Sequence, residues 1–529
     1  MEVPLLVNDF LRRAVKLYPT KEAVVDGDER FTWAEFGDRV NAMANGLAAL
    51  GVGKGDRVAV LSPNSHEFLE MYYVAAQLGA VIVPINYRLI AADFEYIVNH
   101  SGASVFIVDS DYVEVIDGLR AELPTVKHYI VARYGDAPVA DGWTDYEAVL
   151  EGQPVSAPPD PELNENDLIS INYTSGTTAR PKGVMITHRN CYINAYNMMA
   201  HLRVNQDDRI LWTLPMFHAN GWGAPFAVTA VGGTHVVLRR VGGVEIYRLI
   251  DAERITFACM APAVLATILE YPDKDQHNIT TRPRFVIAGA PPPLAFVERM
   301  EKELGWEFMQ IYGLTETSPI LTVSEIKTHL GLEGDRYYQT KARTGIEVVG
   351  TEIAVRGADG QEVPWDDESV GEIATRSNVV LKGYWQQPDE TAEAIRDGWF
   401  YTGDLATVNA AGYINIVDRA KDVIISGGEN VSSIEIEDVL YKHSAVLEVA
   451  VIGVPSEQWG ETPLAIIVSR AEVEVTSDEI LQHCRDNMAH FKCPSRVEFV
   501  KALPRTATGK LKKFELREEF WGGTTRRVN

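Results

Sequence analysis

Cysteine is scarce: Cys191, Cys259, Cys484 and Cys493 are the only four in 529 residues, too few to staple a chain of this length. Cys484 and Cys493 stand too far apart for a CxxC metal pair, and no second pair accompanies them. A reducing compartment follows, and a cytoplasmic one is expected. Long apolar runs are missing too, since no stretch approaches the ~20 residues of a membrane span. The first ten residues hold Glu2 and Asp9 without a basic cluster or apolar core, so no secretory leader is expected. Arg526 to Asn529 matches neither a peroxisomal tripeptide nor a prenylation box. Basic residues are outnumbered, 49 against 74 acidic, for a formal charge of −25. Nucleic acid requires a basic face and is excluded as a partner. An anionic substrate must then be held by local cations, backbone amides or Mg2+ against an unfavourable mean field.

What is present is enough chain for two or more domains. Strand-like and helix-like segments alternate through the first half: a strand at Arg57 to Leu61, a helix at His66 to Leu78, a strand at Val81 to Ile85, a helix at Ala91 to Asn99 and a strand at Val105 to Val108. This rhythm predicts an α/β fold of parallel sheets covered by helices. Residues Tyr134 to Asp160 read as loop with one short helix near Tyr146. Further strands are expected at Gly233 to Arg239, Ile255 to Met260, Arg284 to Ala288 and Phe308 to Tyr312. From Ile346 short strands and glycine-rich turns take over, and beyond about Asp418 the pattern is a compact α+β unit with helices at Ser432 to Lys442 and Ser477 to Met488.

Tyr173 to Gly183 gathers hydroxyls, two glycines and Lys182 into one loop after the apolar strand Leu168 to Asn172. Polyphosphate needs such a loop, because glycine lets backbone N–H groups approach and lysine adds a mobile charge. It is not a Walker A loop, since Pro181 precedes Lys182 and Gly183 follows it. A second loop, Gly313-Leu314-Thr315-Glu316, also ends a strand. Ligands of open parallel sheets sit beyond the carboxyl ends of strands, so both loops are expected at one pocket.

Further segments follow in order: Pro215 to Trp222, Gln310 to Glu316, Tyr401-Thr402-Gly403-Asp404, Asp418 to Asp422, Ser426 to Asn430, and Pro504 to Lys510. Together with the Thr174 to Gly183 loop, this set resembles the adenylate-forming (AMP-binding) superfamily of acyl-CoA synthetases, luciferases and peptide-synthetase adenylation domains, over essentially the whole chain. The resemblance implies a large N-terminal domain, 1–420, of parallel-sheet layers plus a distorted β-barrel-like part. It implies a small mobile α+β domain at 421–529, with its hinge at Lys421. It also implies an activity: a carboxylate attacks the α-phosphate of ATP, giving an acyl-adenylate and pyrophosphate, and the thiol of coenzyme A then displaces AMP.

By the same resemblance, Thr174, Ser175, Gly176, Thr177, Thr178 and Lys182 hold the β- and γ-phosphates. Glu316 and Thr174 hold Mg2+, and Thr315 lies near the α-phosphate. Tyr312 faces adenine opposite Gly289, Ala290 and Pro291, with Gln310 and Gly313 beside it. Asp404 accepts the ribose hydroxyls and Arg419 adds a second contact. Lys510 bridges the acyl carboxylate and the α-phosphate, so Lys510, Glu316, Thr174 and His218 are the implied catalytic groups. Rotation about Lys421 exchanges Lys510 for the Ser426-Gly427-Gly428-Glu429 loop, and Trp459 lines the pantetheine path. Ala179 departs from the family pattern, which has glycine there.

The acid is expected to be uncharged and apolar. Amino-acid-activating relatives carry Asp after the residue matching Phe217, where this chain has His218, and no acidic residue lies between Trp212 and Thr229. A buried ammonium without a partner is costly. Phe217, His218, Trp222 and Phe226 are the candidate pocket residues, and the surroundings resemble fatty acyl-CoA ligases. A medium- to long-chain fatty acid is therefore expected, with an aromatic acid, or an acyl-adenylate ligase or luciferase-like activity, as the alternatives. The assembly is left open, with a homodimer as the candidate.

Overall fold

The computed structural model describes residues 1–174, 180–289, 292–419, 422–426, 429–456, 459–470, 473, 475–505 and 511–521. Val81–Ile85 is buried at every position, as a strand covered by helices on both faces must be. It lies in an eight-stranded sheet, parallel to Arg57–Leu61 on one side and to Leu168–Thr174 on the other. The helix that returns the chain, His66–Leu78, starts where Ser65 Oγ accepts from the Phe68 N–H at 3.2 Å and stops at Gly79, φ +65°. Its aromatic and aliphatic side chains, Phe68, Leu69, Tyr72 and Tyr73 among them, are buried. They fill the main core cluster shared with the second sheet.

That second sheet has nine strands, and Phe257–Met260, Arg284–Ile287 and Glu307–Gly313 run parallel within it. Two expected strands are shorter than the sequence suggests: Thr234–Val236 and Phe257–Met260. Arg239 has left the sheet to pair with Asp109 at 2.7 Å and Asp111 at 2.8 Å. The sheets are also not wholly parallel. Lys182–Thr187 is antiparallel to Leu168–Thr174, Gly383–Tyr384 is antiparallel to Lys182–Thr187, and Ile320–Val323 is antiparallel to Glu307–Gly313. The connections from Leu168–Thr174 to Lys182–Thr187 and from Glu307–Gly313 to Ile320–Val323 are too short for a crossover helix, so the chain can only double back. It is at these reversals that the site is built.

A five-stranded antiparallel sheet follows, containing Thr351–Arg356, Gly371–Ser377, Trp399–Val408 and Ile414–Arg419. The last sheet, also five-stranded, is built around the long hairpin Val446–Ser456 and Gly460–Ser469. One face packs Val449, Val451 and Ile467 against Ile436, Leu440 and Ile480, and the other packs Ile452, Leu464 and Ile466 against Leu503 and Leu516. This sheet thus carries its own core, an α+β unit distinct from the layers before it. It meets them at several places among the described residues. Asp418 Oδ2 accepts from the Ser433 N–H at 3.0 Å and hydroxyl at 2.7 Å, Arg470 pairs with Glu270 at 3.3 Å, and the Phe296 and Tyr441 rings lie 6.1 Å apart. Among the described residues no helix is long and apolar enough to cross a membrane.

Candidate active site

Thr174 and Lys182 are register partners at the mouth of the hairpin formed by Leu168–Thr174 and Lys182–Thr187. The threonine hydroxyl and the lysine ammonium therefore flank the residues that carry the phosphate-loop expectation. Ser175, Gly176, Thr177 and Thr178 themselves lie outside the described residues. The base of the hairpin is braced from outside. Tyr96 Oη donates to the Pro181 carbonyl at 3.2 Å, the Tyr173 hydroxyl and His100 Nδ1 are 2.8 Å apart, and Trp385 Nε1 donates to the His100 carbonyl at 3.1 Å.

The Glu316 turn comes from the other sheet. Glu307–Gly313 runs into it, and the turn is locked by Thr317, whose hydroxyl donates to the Pro319 carbonyl at 2.6 Å and accepts from the Leu314 N–H at 2.9 Å. Glycine is needed at 313, where a Cβ would stand 1.5 Å from the Pro319 carbonyl oxygen. Thr315 is buried and Glu316 is half-buried.

Two strangers in sequence, Lys182 and Glu316, meet through Tyr384. Its hydroxyl donates to Glu316 Oε1 at 3.1 Å, and its ring lies 5.0 Å from Lys182 Nζ. Burial and, next, the Glu316 charge push the Tyr384 hydroxyl well above the usual tyrosine range, so it stays a donor. Sequence reading passed over Tyr384. Only the pairing of Gly383–Tyr384 with the Lys182 strand reveals it.

A second group forms beside the first. Tyr312 Oη donates to Asp404 Oδ2 at 2.8 Å, and Arg419 Nε lies 3.1 Å from Asp404 Oδ1. Asp404 and Arg419 are register partners across the antiparallel pair Trp399–Val408 and Ile414–Arg419, which explains why residues far apart in sequence meet. The Asp404 carboxylate raises the Arg419 guanidinium against its own burial, and burial followed by the Asp404 charge raises the Tyr312 hydroxyl. The phenol and the guanidinium therefore both keep their protons beside Asp404. An ionised carboxylate has about four acceptor positions, so Asp404 retains capacity beyond these two partners.

Other expected nucleotide contacts are more dispersed. Gln310 is buried mid-strand, its backbone paired with Ser324, and its Oε1 meets no hydrogen-bond donor among the described residues. Gly289 is exposed at φ +95°, while Ala290 and Pro291 lie outside the described residues. So do Lys421, Gly427, Gly428 and Lys510. Ser426 pairs with Glu429 and with Gly460, next to Trp459, which is 51% exposed on the last sheet's hairpin.

The apolar end of the site is the turn His218–Gly223. Asn172, on the phosphate-loop strand, donates from Nδ2 to the Phe217 carbonyl at 3.5 Å, which ties this turn to the Thr174 strand. Asn64 holds the approach, donating to the Trp212, Leu214 and Leu238 carbonyls and accepting from the Met216 N–H at 2.7 Å. Phe217 stands edge-on to Tyr87 at 5.5 Å, with the His218 ring 6.5 Å away. Trp222 is buried at φ +56°, in the left-handed region, and Asn194 Nδ2 donates to its carbonyl at 3.1 Å. A Cβ on the neighbouring Gly223 would sit 2.0 Å from the same Asn194 nitrogen, so that glycine is required. Phe226, expected to line the pocket, instead lies wholly in the core between Tyr72 at 5.8 Å and Tyr73 at 6.0 Å.

The fold and this constellation define an adenylate-forming enzyme, an AMP-forming acid–thiol ligase. Residues 11–385 match the AMP-binding enzyme family model and residues 435–510 that of the AMP-binding enzyme C-terminal domain, so the chain belongs to the AMP-binding enzyme family, among its acyl-CoA ligases. It is 39% identical to 4-hydroxybutyrate–CoA ligase 2 of Metallosphaera sedula over 98% of this chain and 94% of that protein. It is 35% identical to the long-chain-fatty-acid–CoA ligase of Thermus thermophilus over 98% of this chain and 96% of that one. The crystal structure of the anthranilate CoA ligase AuaEII in complex with anthranoyl-AMP superposes with a TM-score of 0.89 at 27% identity, covering 98% of each chain.

Proposed function

We propose that the protein is an ATP-dependent acyl-CoA synthetase that activates a free apolar carboxylic acid through an acyl-adenylate and passes the acyl group to coenzyme A. The observation that carries the reading is the meeting of Lys182 and Glu316 on Tyr384, beside the Tyr312–Asp404–Arg419 group. A cation and a carboxylate brought to one tyrosine at two strand reversals suit a metal–polyphosphate, and a carboxylate with spare acceptor capacity suits a ribose.

In this reading Thr174, Lys182 and the hairpin residues 175–178 bind the β- and γ-phosphates, and Thr315 the α-phosphate. Glu316 and Thr174 hold Mg2+, which neutralises phosphate charge as two anions approach. The donor set fits that ion: one Glu316 oxygen is engaged by Tyr384, and oxygen ligands are what Mg2+ takes. Asp404 accepts the ribose hydroxyls, Tyr312 orients adenine with its own hydroxyl anchored, and Arg419 holds the Asp404 carboxyl in place. Lys510, on the C-terminal unit from residue 421, delivers an ammonium between the acid and the α-phosphate. The unit then turns about Lys421 so that Ser426 to Glu429 and Trp459 guide the thiol. Adenylate formation depends on charge placement and positioning; in the second half-reaction the CoA thiol loses its proton as sulfur bonds the acyl carbon and the acyl–oxygen bond to AMP breaks.

The acid sits at the His218–Gly223 turn. A medium- to long-chain fatty acid is the first reading, supported by the apolar wall and by the similarity to the Thermus ligase. A compact acid, short or aromatic, is the second. The burial of Phe217 and Trp222 at the turn favours it. A panel of acids from four to sixteen carbons with aryl members, assayed for pyrophosphate with and without CoA, decides between them. Acid-dependent pyrophosphate release is expected without CoA and faster turnover with it; no acid-dependent release from any member refutes the function.

A further inference from the structure

Leu381 to Trp385 grips both halves of the proposed phosphate end. The Leu381 N–H donates to the Glu316 carbonyl at 2.7 Å, the Lys382 N–H to the Met185 carbonyl at 3.0 Å and the Trp385 N–H to the Gly183 carbonyl at 2.7 Å. Between them Gly383 pairs with Met185 and Tyr384 with Val184. From this position we infer that Tyr384 is a positioning residue for the metal–phosphate site: its hydroxyl fixes Glu316 Oε1 and leaves Oε2 for the metal, while its ring sets the Lys182 ammonium. The inference rests on Glu316 as the metal carboxylate and Lys182 as a phosphate contact, as proposed above.

Packing alone does not account for this tyrosine. Its ring would be filled equally by phenylalanine, and the hydroxyl would then not need a carboxylate at 3.1 Å. A hydroxyl buried without that partner would cost stability, so the two groups are specified together. The tyrosine's own backbone is fixed from the far side, where Thr391 Oγ1 accepts from the Tyr384 N–H at 2.9 Å and itself donates to the Gln387 carbonyl at 2.9 Å. A carboxylate whose one oxygen is held loses rotational freedom before the metal arrives, which raises metal affinity. Lys182, 5.0 Å from the ring centroid, gains a cation–π contact that holds a flexible stem near the hairpin mouth.

The test is Mn2+ binding, followed by electron paramagnetic resonance, with ATP present and no acid, so that no turnover is involved. Tyr384→Phe, which keeps the ring, is expected to weaken Mn2+ binding about tenfold and to leave metal-free ATP binding within about twofold. Tyr384→Leu, which loses the ring as well, is expected to weaken metal-free ATP binding too, through Lys182. Thermal melting monitors the fold, and Tyr384→Met, also without a donor, takes the place of the phenylalanine variant if that one does not fold. Glu316→Gln is measured alongside. Parental Mn2+ affinity in Tyr384→Phe with weakened binding in Glu316→Gln overturns the role of Tyr384 alone. Parental affinity in both overturns the metal assignment of Glu316 with it.

Discussion

The proposed phosphate end and the proposed acid end of this site are made of different material. At the phosphate end, Lys182, Glu316, Tyr384, Asp404 and Arg419 are joined by hydrogen bonds and charge across strand reversals. At the acid end, Phe217 packs edge-on to Tyr87 and Trp222 is buried, and the turn is pinned by Asn64 and Asn194. The first kind of construction demands particular atoms at particular places. The second demands only volume, and many residues supply volume. A ligase family keeps one reaction and varies its acids for this reason: the polar end tolerates little change, while the apolar end can be refilled.

The largest effect is expected from Lys510→Ala, about a thousandfold loss of acid-dependent pyrophosphate release with thioester formation from synthetic acyl-adenylate spared. Single-turnover assays of each half-reaction read it, and equal losses in both would remove Lys510 from the polar end. Asp404→Ala strands the Tyr312 hydroxyl and the Arg419 guanidinium. A fall of about a hundredfold in kcat/KM for ATP, with KM for the acid unmoved, is expected from losing a charge-assisted contact. A rise confined to the acid KM would assign Asp404 to the wrong end.

Trp222→Leu tests the apolar end. Enlarging the space there should shift kcat/KM by about tenfold toward longer or bulkier acids, the worth of one or two methylenes in an apolar pocket. An acid profile that does not move places specificity elsewhere. The smallest effect concerns stability. His188 is buried, its ring nitrogens accept or donate no hydrogen bond among the described residues, and burial lowers it from 6.5 to about 4. The unfolded chain takes up a proton near 6.5 that the folded chain refuses until about 4, so stability is full above that window and declines as pH falls through it. The decline is about 1.4 kcal/mol per pH unit for this group. His188→Leu should therefore melt higher than the parent at pH 5 and equally at pH 7.5. Parallel melting curves would show that His188 carries no such linkage.

How much was legible beforehand follows the same division. Lys182, Glu316 and Asp404 stand in short motifs where glycine, hydroxyl and charge recur at fixed spacing, and a resemblance was enough to single them out. The alternating rhythm also gave the parallel layers, since a buried strand such as Val81–Ile85 needs continuous apolar residues. Tyr384 was invisible because its meaning comes from pairing with Val184, two hundred residues upstream in order of magnitude. Asn64 and Asn194 were missed for a like reason: each answers backbone groups of a distant turn. Phe226 was named because an aromatic next to a pocket motif looks like lining, and the helix Ala224–Val231 packs it between Tyr72 and Tyr73. The antiparallel edges escaped because the rhythm of strand and helix carries no direction for a strand joined by a short loop.

Phosphorus NMR of a single reaction containing acid, ATP and CoA tests the assignment of the polar end most directly. One AMP and one pyrophosphate for each thioester formed is the predicted outcome. ADP with inorganic phosphate at thioester formation would contradict attack at the α-phosphate, and with it the roles given to Lys182, Glu316 and Asp404.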